Sequence, residues 1–357
     1  MNLLNNYGLT DRYISEATLY ENLTLGRVVA QYRGLYKVVT DNGEFIAEIS
    51  GKLRYNTDEL AKYPAVGDFV MLKSSGEADR AIIQYILTRR SAFLRKAVGV
   101  SGQAQVIAAN IDVVFICMSL NNNYNLSRLE RYLSVTWDSG ATPVIILTKS
   151  DICENVKEAV SEVERVSCFS DVIALSMYDN ILEKLEKYLQ KGVTTAFIGS
   201  SGVGKSTLIN NILGENVIAT NEINRDDKGR HTTTGREMFI CPTGGVVIDT
   251  PGIRELGAES VDLSKSFIDI EELASRCRYG NCTHMTEPGC AVRKAIEDGL
   301  IDDRRLENYF KLKTEAGYDG LNSKQRESKK LERMFRDVGG MKNVRKFVRE
   351  NDKRNKK

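Results

Sequence analysis

A short apolar run leads into a glycine-rich loop at residues 194–206, which read TTAFIGSSGVGKS. The second part, Gly199 to Ser206, matches the pattern G-x-x-x-x-G-K-[ST] in full. Glycines in this pattern let backbone N–H groups face phosphate oxygens, and the start of the following helix adds a positive dipole. Lys205 is expected to reach the β and γ phosphates, and Ser206 to bind Mg²⁺. The residues expected around the phosphates are Gly199, Ser200, Ser201, Gly202, Val203, Gly204, Lys205, Ser206 and Thr207.

The sequence around this loop alternates buried strands with helices. Outside this part of the chain, a strand is predicted at residues 66–72 and helices at residues 302–313 and 324–335. Around the loop, strands are predicted at residues 112–118, 144–147, 172–175, 194–198 and 245–248, and helices at residues 126–137, 156–166 and 181–190. Such alternation is typical of a parallel, doubly wound α/β sheet. The fold class is therefore an α/β P-loop domain, accompanied by further domains because 357 residues exceed one ordinary core.

A second phosphate-linked motif, Asp249-Thr250-Pro251-Gly252, ends the last of these strands. The Asp249 carboxylate can hold Mg²⁺, and the Gly252 N–H can sense a γ phosphate. Together with the phosphate loop, this motif predicts a nucleotide-dependent switch.

The tetrapeptide Thr148-Lys149-Ser150-Asp151 resembles N-K-x-D, in which the Asp carboxylate accepts hydrogen bonds from guanine N1–H and N2–H. Adenine lacks this pair of donors, so ATP would leave the carboxylate unpaired. Ser176 and Met177, at the end of the next predicted strand, fit the loop beneath guanine. The pair of motifs favours GTP over ATP.

The order of these motifs is circularly permuted, because base recognition precedes phosphate binding along the chain. Domain termini usually lie close together on the surface, so rejoining such a sheet elsewhere preserves its site.

A switch segment is expected at residues 228–234, which read KGRHTTT. Thr233 is predicted to bind Mg²⁺. Ile253 follows Gly252, so the glutamine that positions the attacking water in Ras-like enzymes is absent, and His231 is the nearest candidate for that role. The alternative is that His231 is a surface histidine in a loop.

Three thiols and one imidazole lie within fourteen residues, as Cys277, Cys282, His284 and Cys290. They form a complete four-ligand set for tetrahedral Zn²⁺, which indicates a structural site. A redox or reactive-thiol role is the alternative. The seven cysteines, of which four are scattered singly, favour a metal site in a reducing compartment over disulfides.

The ends of the chain add two further expectations. Residues 21–90 read as a small β domain with a hairpin at Asp41-Asn42-Gly43, which suits an OB-fold-like barrel. Residues 326–357 hold 13 Lys or Arg against 5 Asp or Glu, although the net charge of the whole chain is only +2. This basic tail, with the pairs Arg89-Arg90 and Arg95-Lys96, is predicted to contact RNA phosphates. The alternative is a solvated helix surface.

No segment is apolar enough for export or membrane insertion, so we expect a cytoplasmic protein.

Together these motifs closely resemble the RsgA family, also called YjeQ or YloQ, over roughly residues 20–310. The resemblance implies an OB-fold, a permuted GTPase domain and a C-terminal zinc domain, which we expect at residues 1–100, 101–265 and 266–357 as an N-terminal arm with an OB-fold-like barrel, the GTPase domain, and a helical zinc-binding domain. The basic tail within the last of these ranges is not implied by the resemblance. It also implies a GTP hydrolase in late maturation of the small ribosomal subunit, which binds the particle, is stimulated by it, and leaves as the GDP form. We further expect a monomer that contacts the rRNA of the particle. Residues 109–112, reading ANID, look like the family's entry to the GTPase domain, whereas Thr148 departs from the usual Asn.

Two other functions fit parts of the pattern. One is a P-loop ATPase or small-molecule kinase, and the other is a zinc-containing RNA-binding protein with a degenerate nucleotide site. A degenerate site should lack Lys205, Ser206 or Asp249, and all three are present.

Overall fold

The structure is a computed structural model, and it describes residues 3–32, 34–55, 60–76, 79–96, 104–167, 169–215, 217–218, 236–249 and 261–317. Within these residues, no helix has both the length and the apolar content that crossing a membrane requires. The described ranges comprise an N-terminal β domain, an α/β sheet and a group of C-terminal helices.

The N-terminal β domain is a closed barrel. Its elements are α1 (Asp11–Ala17), β1 (Thr24–Gln31), β2 (Tyr36–Thr40), β3 (Gly43–Ile49), α2 (Gly51–Tyr55), β4 (Phe69–Ser74) and β5 (Arg80–Ile86). The strands pair in the order β1-β2-β3-β5-β4, and β4 pairs again with β1. Strands β3 and β5 are parallel, whereas the other neighbours are antiparallel. Among the described strands, these five therefore close into the Greek-key barrel of an OB-fold, as expected.

One strand boundary differs from the prediction for a local reason. The strand expected to start at Val66 begins only at Phe69. Gly67 has a φ of +96°, and the Asp68 carboxylate accepts a hydrogen bond from the Ala65 N–H at 2.8 Å. These features make a turn where the apolar composition suggested an extended strand.

The α/β sheet is built on parallel, buried strands. After a hairpin of β6 (Ala92–Lys96) and β7 (Ala104–Ala109), its elements are β8 (Val113–Ser119), α3 (Leu126–Ser139), β9 (Thr142–Thr148), α4 (Val156–Val166), β10 (Asp171–Ala174), α5 (Ile181–Leu185), β11 (Thr194–Gly199), α6 (Lys205–Leu213), β12 (Arg236–Ile240) and β13 (Val246–Asp249). Strands β10, β9, β8, β11 and β13 are parallel neighbours in that order. The predicted α/β class is confirmed.

The barrel and the α/β sheet share a continuous set of strand pairings. Strand β12 lies antiparallel to β13 on one side and to β1 on the other, where Ala30 faces Glu237 and Gln31 faces Arg236. Eleven of the described strands therefore form one sheet that curls into the barrel at one end, and β6 and β7 pair in a separate two-stranded sheet.

A predicted helix is shorter than expected. The helix expected at residues 181–190 ends at Leu185 and is followed by a 3-10 turn at Glu186–Tyr188. Gln190 then forms an isolated β-bridge with Gly244, in the turn between β12 and β13.

The C-terminal helices pack on one face of the sheet. They are α7 (Ile268–Ala274), α8 (Ala291–Glu297) and α9 (Asp303–Ala316), and α9 confirms the helix expected at residues 302–313. Buried side chains of this region, including Phe267, Val292 and Leu312, belong to the same core as Leu129 and Leu133 of α3. The further helix expected at residues 324–335, and the basic tail, lie outside the described residues.

Candidate nucleotide site and Cys/His cluster

The phosphate loop follows β11, an interior strand of the parallel sheet. Strand β11 lies between β8 and β13, and its residues are buried throughout. Chain order reverses here, since β8 leads to β9 and β10 on one side while β11 returns to the other side of β8. Such a switch point opens a crevice at the carboxyl ends of the strands, which is where ligands bind in open α/β sheets. The loop from Gly199 to Gly204 lies at this edge, followed by Lys205, Ser206 and Thr207 in the first turn of α6.

Two glycines of the loop are required by geometry. Gly199 has a φ of +147°, and a Cβ there would lie 2.4 Å from the Cys117 carbonyl oxygen on β8. Gly204, directly before α6, has a φ of +94° in the left-handed region. Side chains at these positions would distort the backbone that is expected to face the phosphates.

The lysine of the motif is folded over the loop. Lys205 is buried, and its Nζ donates to the carbonyl oxygens of Gly199 at 2.6 Å and Ser200 at 2.5 Å. Its ammonium group is therefore held inside the curve of the loop, at the position from which a charge can meet a bound phosphate.

The T-K-S-D segment is attached directly to the phosphate loop. The buried Thr148 hydroxyl, at the end of β9, donates to the Val203 carbonyl at 2.6 Å. Lys149 then adopts a left-handed φ of +60°, and the exposed Asp151 lies in the 3-10 turn Ser150–Ile152. Thr148 thus joins the T-K-S-D segment to the phosphate loop.

The predicted second base-reading loop is adjacent to the first. The Ser150 N–H donates to the Leu175 carbonyl at 3.1 Å, so the ends of β9 and β10 are joined. The Asp179 carboxylate accepts from the Ser176 N–H at 2.7 Å and pairs with Lys184 at 2.9 Å. These contacts lower the pKa of Asp179, with the Ser176 hydrogen bond as the largest cause. Met177 is 71% exposed on this loop, open to a flat ligand.

The remaining nucleotide residues divide into two groups. Asp249 is the last residue of β13, next to β11, so it lies at the same edge as the phosphate loop. The predicted residues His231, Thr233 and Gly252 lie outside the described residues, as does the rest of the switch segment.

A set of side-chain hydrogen bonds to the phosphate loop was not predicted from the sequence. Asn123, in the turn between β8 and α3, donates from Nδ2 to Ser200 Oγ at 3.0 Å and to the Ser201 carbonyl at 3.3 Å. Its Oδ1 accepts from Arg128 Nη1 at 2.6 Å. The signal in the sequence is the run Asn121-Asn122-Asn123 directly after a buried strand.

The four predicted zinc ligands converge. The ligand atoms of Cys277, Cys282, His284 and Cys290 all lie within 4.8 Å of one another. His284 Nδ1 is 3.6 Å from Cys277 Sγ and 3.5 Å from Cys290 Sγ, and these two sulfurs are 3.9 Å apart. A tetrahedral zinc site has sulfurs about 3.8 Å apart and nitrogen about 3.5 Å from sulfur, given its bond lengths. The donor set therefore fits zinc in chemistry and spacing.

The loop between the ligands is ordered by two charged residues. The Glu287 carboxylate accepts from the Thr283 hydroxyl at 2.5 Å and from the Thr283 N–H at 2.9 Å, and these contacts lower its pKa to about 2. Arg293 Nε donates to the His284 carbonyl at 3.0 Å. Burial lowers the pKa of His284, which favours the neutral imidazole that a metal ligand requires.

The cluster region is docked on α3 through buried charges. Glu130 is 1% exposed and accepts from Arg305 at 3.0 Å, Arg304 at 3.2 Å and Asn308 at 2.5 Å, all on α9. Arg305 also forms a two-point ion pair with Asp269, at 2.8 Å for both bonds. Because the buried Glu130 and Arg305 pair with each other and each has a further charged partner, the burial of these two charges is compensated, whereas Arg304 is partly exposed.

One basic residue proposed for RNA contact has a structural role instead. Arg89 makes a two-point ion pair with the buried Asp68, at 2.8 and 2.7 Å, and donates to the Ala61 and Tyr63 carbonyls at 2.7 Å each. The expectation that Arg89 contacts phosphates is therefore wrong, because its guanidinium holds the turn before β4. Arg90 pairs with Asp112 at 2.7 Å.

Comparisons with known proteins agree with the motif order and the fold. A family model described as RsgA GTPase matches residues 86–259. A protein named small ribosomal subunit biogenesis GTPase RsgA 2 from Lactiplantibacillus plantarum is 47% identical over 344 residues, covering 96% of this chain and 97% of its own length. A small ribosomal subunit biogenesis GTPase RsgA from Methanosarcina acetivorans is 43% identical, covering 92% and 90%.

Solved structures similar to this chain carry names of the same family. YjeQ from Thermotoga maritima superposes with a TM-score of 0.60 at 25% identity, covering 82% of this chain and 98% of that one. YloQ, described as a circularly permuted GTPase, superposes with a TM-score of 0.59 at 24% identity, covering 83% and 96%, and supports the fold. With relatives above 40% identity across nearly its whole length, the chain belongs to the RsgA family.

Proposed function

We propose that this chain hydrolyses GTP in the assembly of the small ribosomal subunit. The observation that carries the proposal is the meeting of three segments at one sheet edge: the phosphate loop after β11, the T-K-S-D segment after β9 and the Ser176 loop after β10. The names of the relatives, small ribosomal subunit biogenesis GTPases, support the biological role.

Guanine recognition is assigned to Asp151, with Thr148, Lys149, Ser176 and Met177 shaping the pocket. A carboxylate that accepts two guanine N–H groups loses both bonds with adenine, and an unpaired acceptor carries a desolvation penalty. The Thr148–Val203 hydrogen bond supports this assignment, because it fixes the distance between the base-reading segment and the phosphate loop.

Hydrolysis is assigned to the loop and the switch segment. The loop N–H groups and Lys205 would stabilise charge on the phosphates, which is the main requirement of phosphoryl transfer. Mg²⁺ bound with the nucleotide supplies further charge neutralisation, and Ser206, Asp249 and Thr233 are the residues proposed to hold it. His231 is proposed to orient the attacking water, and Gly252 to sense the γ phosphate.

The Cys/His cluster is proposed to hold one structural Zn²⁺. Its role is to shape the C-terminal region for contact with the small subunit and its rRNA. The basic tail, Arg90 and the Arg95-Lys96 pair are proposed to add contacts with RNA phosphates. In this proposal the protein works as a monomer in the cytoplasm, and the particle stimulates hydrolysis.

The direct test measures hydrolysis of GTP and ATP by the zinc-loaded full chain, with and without purified small subunits. We expect GTP to be used about a hundredfold more efficiently than ATP or better, because bound adenine would cover the Asp151 carboxylate without donating hydrogen bonds to it. We also expect the particles to raise kcat. Equal use of ATP would favour the ATPase or kinase alternative, and turnover unaffected by particles would contradict the ribosomal role.

A variant tests the residue assignment. Asp151→Asn should weaken GTP binding and raise affinity for xanthosine triphosphate, whose C2 carbonyl matches the new amide donor. The exposed Glu154→Gln, three residues further on, is the matched control and should leave both affinities unchanged. GTP affinity in Asp151→Asn equal to that of the wild type would refute the assignment.

A further inference from the structure

We propose that Asn123 is a positioning residue for the phosphate loop, and that it links this loop to the docking of the Cys/His region on α3. The inference rests on the proposed function in one respect, namely that the loop binds GTP. The observation that supports the inference is a set of hydrogen bonds made by the side-chain amide of Asn123. Its Nδ2 donates to Ser200 and Ser201 of the loop, and its Oδ1 accepts from Arg128 of α3.

The first step is from Asn123 to the catalytic lysine. Ser200 is the residue whose hydroxyl accepts the Asn123 hydrogen bond, and its carbonyl accepts from Lys205 Nζ at 2.5 Å. A shift of Asn123 therefore changes the position of the carbonyl that orients Lys205. Small errors in the placement of such a group reduce rate strongly, because phosphoryl transfer depends on positioning.

The second step is from Asn123 to the first turn of α3. Asn121 Oδ1 accepts from the Ser119 hydroxyl at 2.8 Å and from the Asn123 N–H at 3.0 Å, which orders the turn. The Asn125 side chain caps α3 by accepting from the Arg128 N–H at 2.8 Å. The Asn123 side chain is therefore held between the end of β8 and the beginning of α3.

The third step is from that same turn to α9. Arg304 donates to the Ser127 hydroxyl at 3.2 Å. Asn308 donates to the Ser127 carbonyl at 3.3 Å and to the buried Glu130 at 2.5 Å. Ser127 directly precedes Arg128, so α9 contacts the helical turn that holds Asn123 in place.

The last step is from α9 to the Cys/His cluster. Arg293, three residues after Cys290, donates to the His284 carbonyl and pairs with Asp303 of α9 at 3.0 Å. The Phe310 ring of α9 stacks at 6.4 Å from the His284 ring. An unbroken series of contacts thus runs from the cluster to the phosphate loop, and coupling along it is measured by non-additivity of substitutions.

The first experiment measures basal GTP hydrolysis and GDP affinity without ribosomal particles. Asn123→Ala should lower kcat about three- to tenfold, the range expected for loss of one or two hydrogen bonds, with GDP affinity changed much less. Asn123→Asp keeps an acceptor for Arg128 but cannot donate to the loop, so it should lose a similar factor. The exposed neighbour Asn122→Ala is the control and should match the wild type.

The second experiment tests the link to α9. Asn308→Ala should also lower basal kcat. Adding it to Asn123→Ala should cause little further loss of kcat, because both changes interrupt the same series of contacts. The control is Glu315→Ala, which removes the ion pair with Arg131 between the same two helices but away from the first turn of α3. It should leave kcat unchanged.

Three results separate the possible failures. Wild-type protein that does not hydrolyse GTP would contradict the proposed function. Active wild type together with unchanged kcat in Asn123→Ala would overturn the inference alone. Losses in Asn123→Ala and Asn308→Ala that simply multiply, or a loss in Glu315→Ala equal to that in Asn308→Ala, would overturn the link to α9.

Discussion

The phosphate loop and the Cys/His cluster are built in opposite ways. In the phosphate loop the backbone is arranged for the ligand, and glycines such as Gly199 and Gly204 permit that arrangement. In the cluster the side chains converge, and a charged residue, Glu287, orders the backbone between them. One site thus depends on positions that must lack a side chain, and the other on positions that must carry a particular one. Substitutions should therefore affect the two sites, and the buried charges between them, through different mechanisms and by different amounts.

Loss of the metal is expected to have the largest effect. Structural zinc can contribute on the order of 10 kcal/mol to folding of a small module, so Cys290→Ser should unfold residues around the cluster while the α/β sheet stays folded. Limited proteolysis and metal content would detect this change. Cys153→Ser removes a half-buried thiol outside the cluster and is the control. An equal metal content in Cys290→Ser and wild type would mean that the cluster is no zinc site.

Disruption of the buried charge network around Glu130 should have the second-largest effect. Glu130→Gln removes the negative charge and one of the two acceptor oxygens that face Arg304 and Arg305, and breaking such a pair leaves uncompensated charge. We expect a loss of about 2–4 kcal/mol in the free energy of unfolding, because Arg305 keeps Asp269 as a partner. Urea denaturation would measure it. Arg131→Ala breaks the partly exposed pair with Glu315 and should cost about 0–1 kcal/mol. Equal losses would show that burial of the network is unimportant.

The smallest effect is expected at the link between base and phosphate recognition. Thr148→Val keeps the shape of the side chain but removes the donor to the Val203 carbonyl, which should cost about 1–2 kcal/mol of stability and weaken GDP binding severalfold. Calorimetric titration and thermal unfolding would show both changes. Thr142→Val, at the exposed start of the same strand, is the control. GDP affinity that stays at the wild-type value would mean that Thr148 does not couple the two segments.

The sites themselves were largely predictable from sequence, because each depends on residue types at fixed spacing. Gly199 to Ser206 and the four ligands from Cys277 to Cys290 are local patterns. The positions of the α/β strands along the chain follow from their apolar runs. The barrel was predictable as a class, although the turn at Gly67 and Asp68 displaced one strand.

The connections between the sites were not predictable, since they join residues far apart in sequence. Asn123 and Ser200 are 77 positions apart, and Glu130 and Arg305 are 175 apart. A glutamate on a helix carries no local sign of such a partner, and the run Asn121-Asn122-Asn123 indicates a polar turn without showing which loop it contacts. For the same reason the sequence predicts an RNA contact for Arg89, although its partner Asp68 lies in the turn before β4.

The pairing of β1 with β12 has a consequence for how the chain avoids aggregation. An exposed edge strand offers unpaired N–H and C=O groups to any other extended chain. Here the barrel strand β1 lies beside β12 and occupies part of that edge. The barrel therefore covers part of the edge of the α/β sheet in addition to forming a module of its own. An α/β domain cut free of residues 1–86 would present β12 as an open template for strand addition.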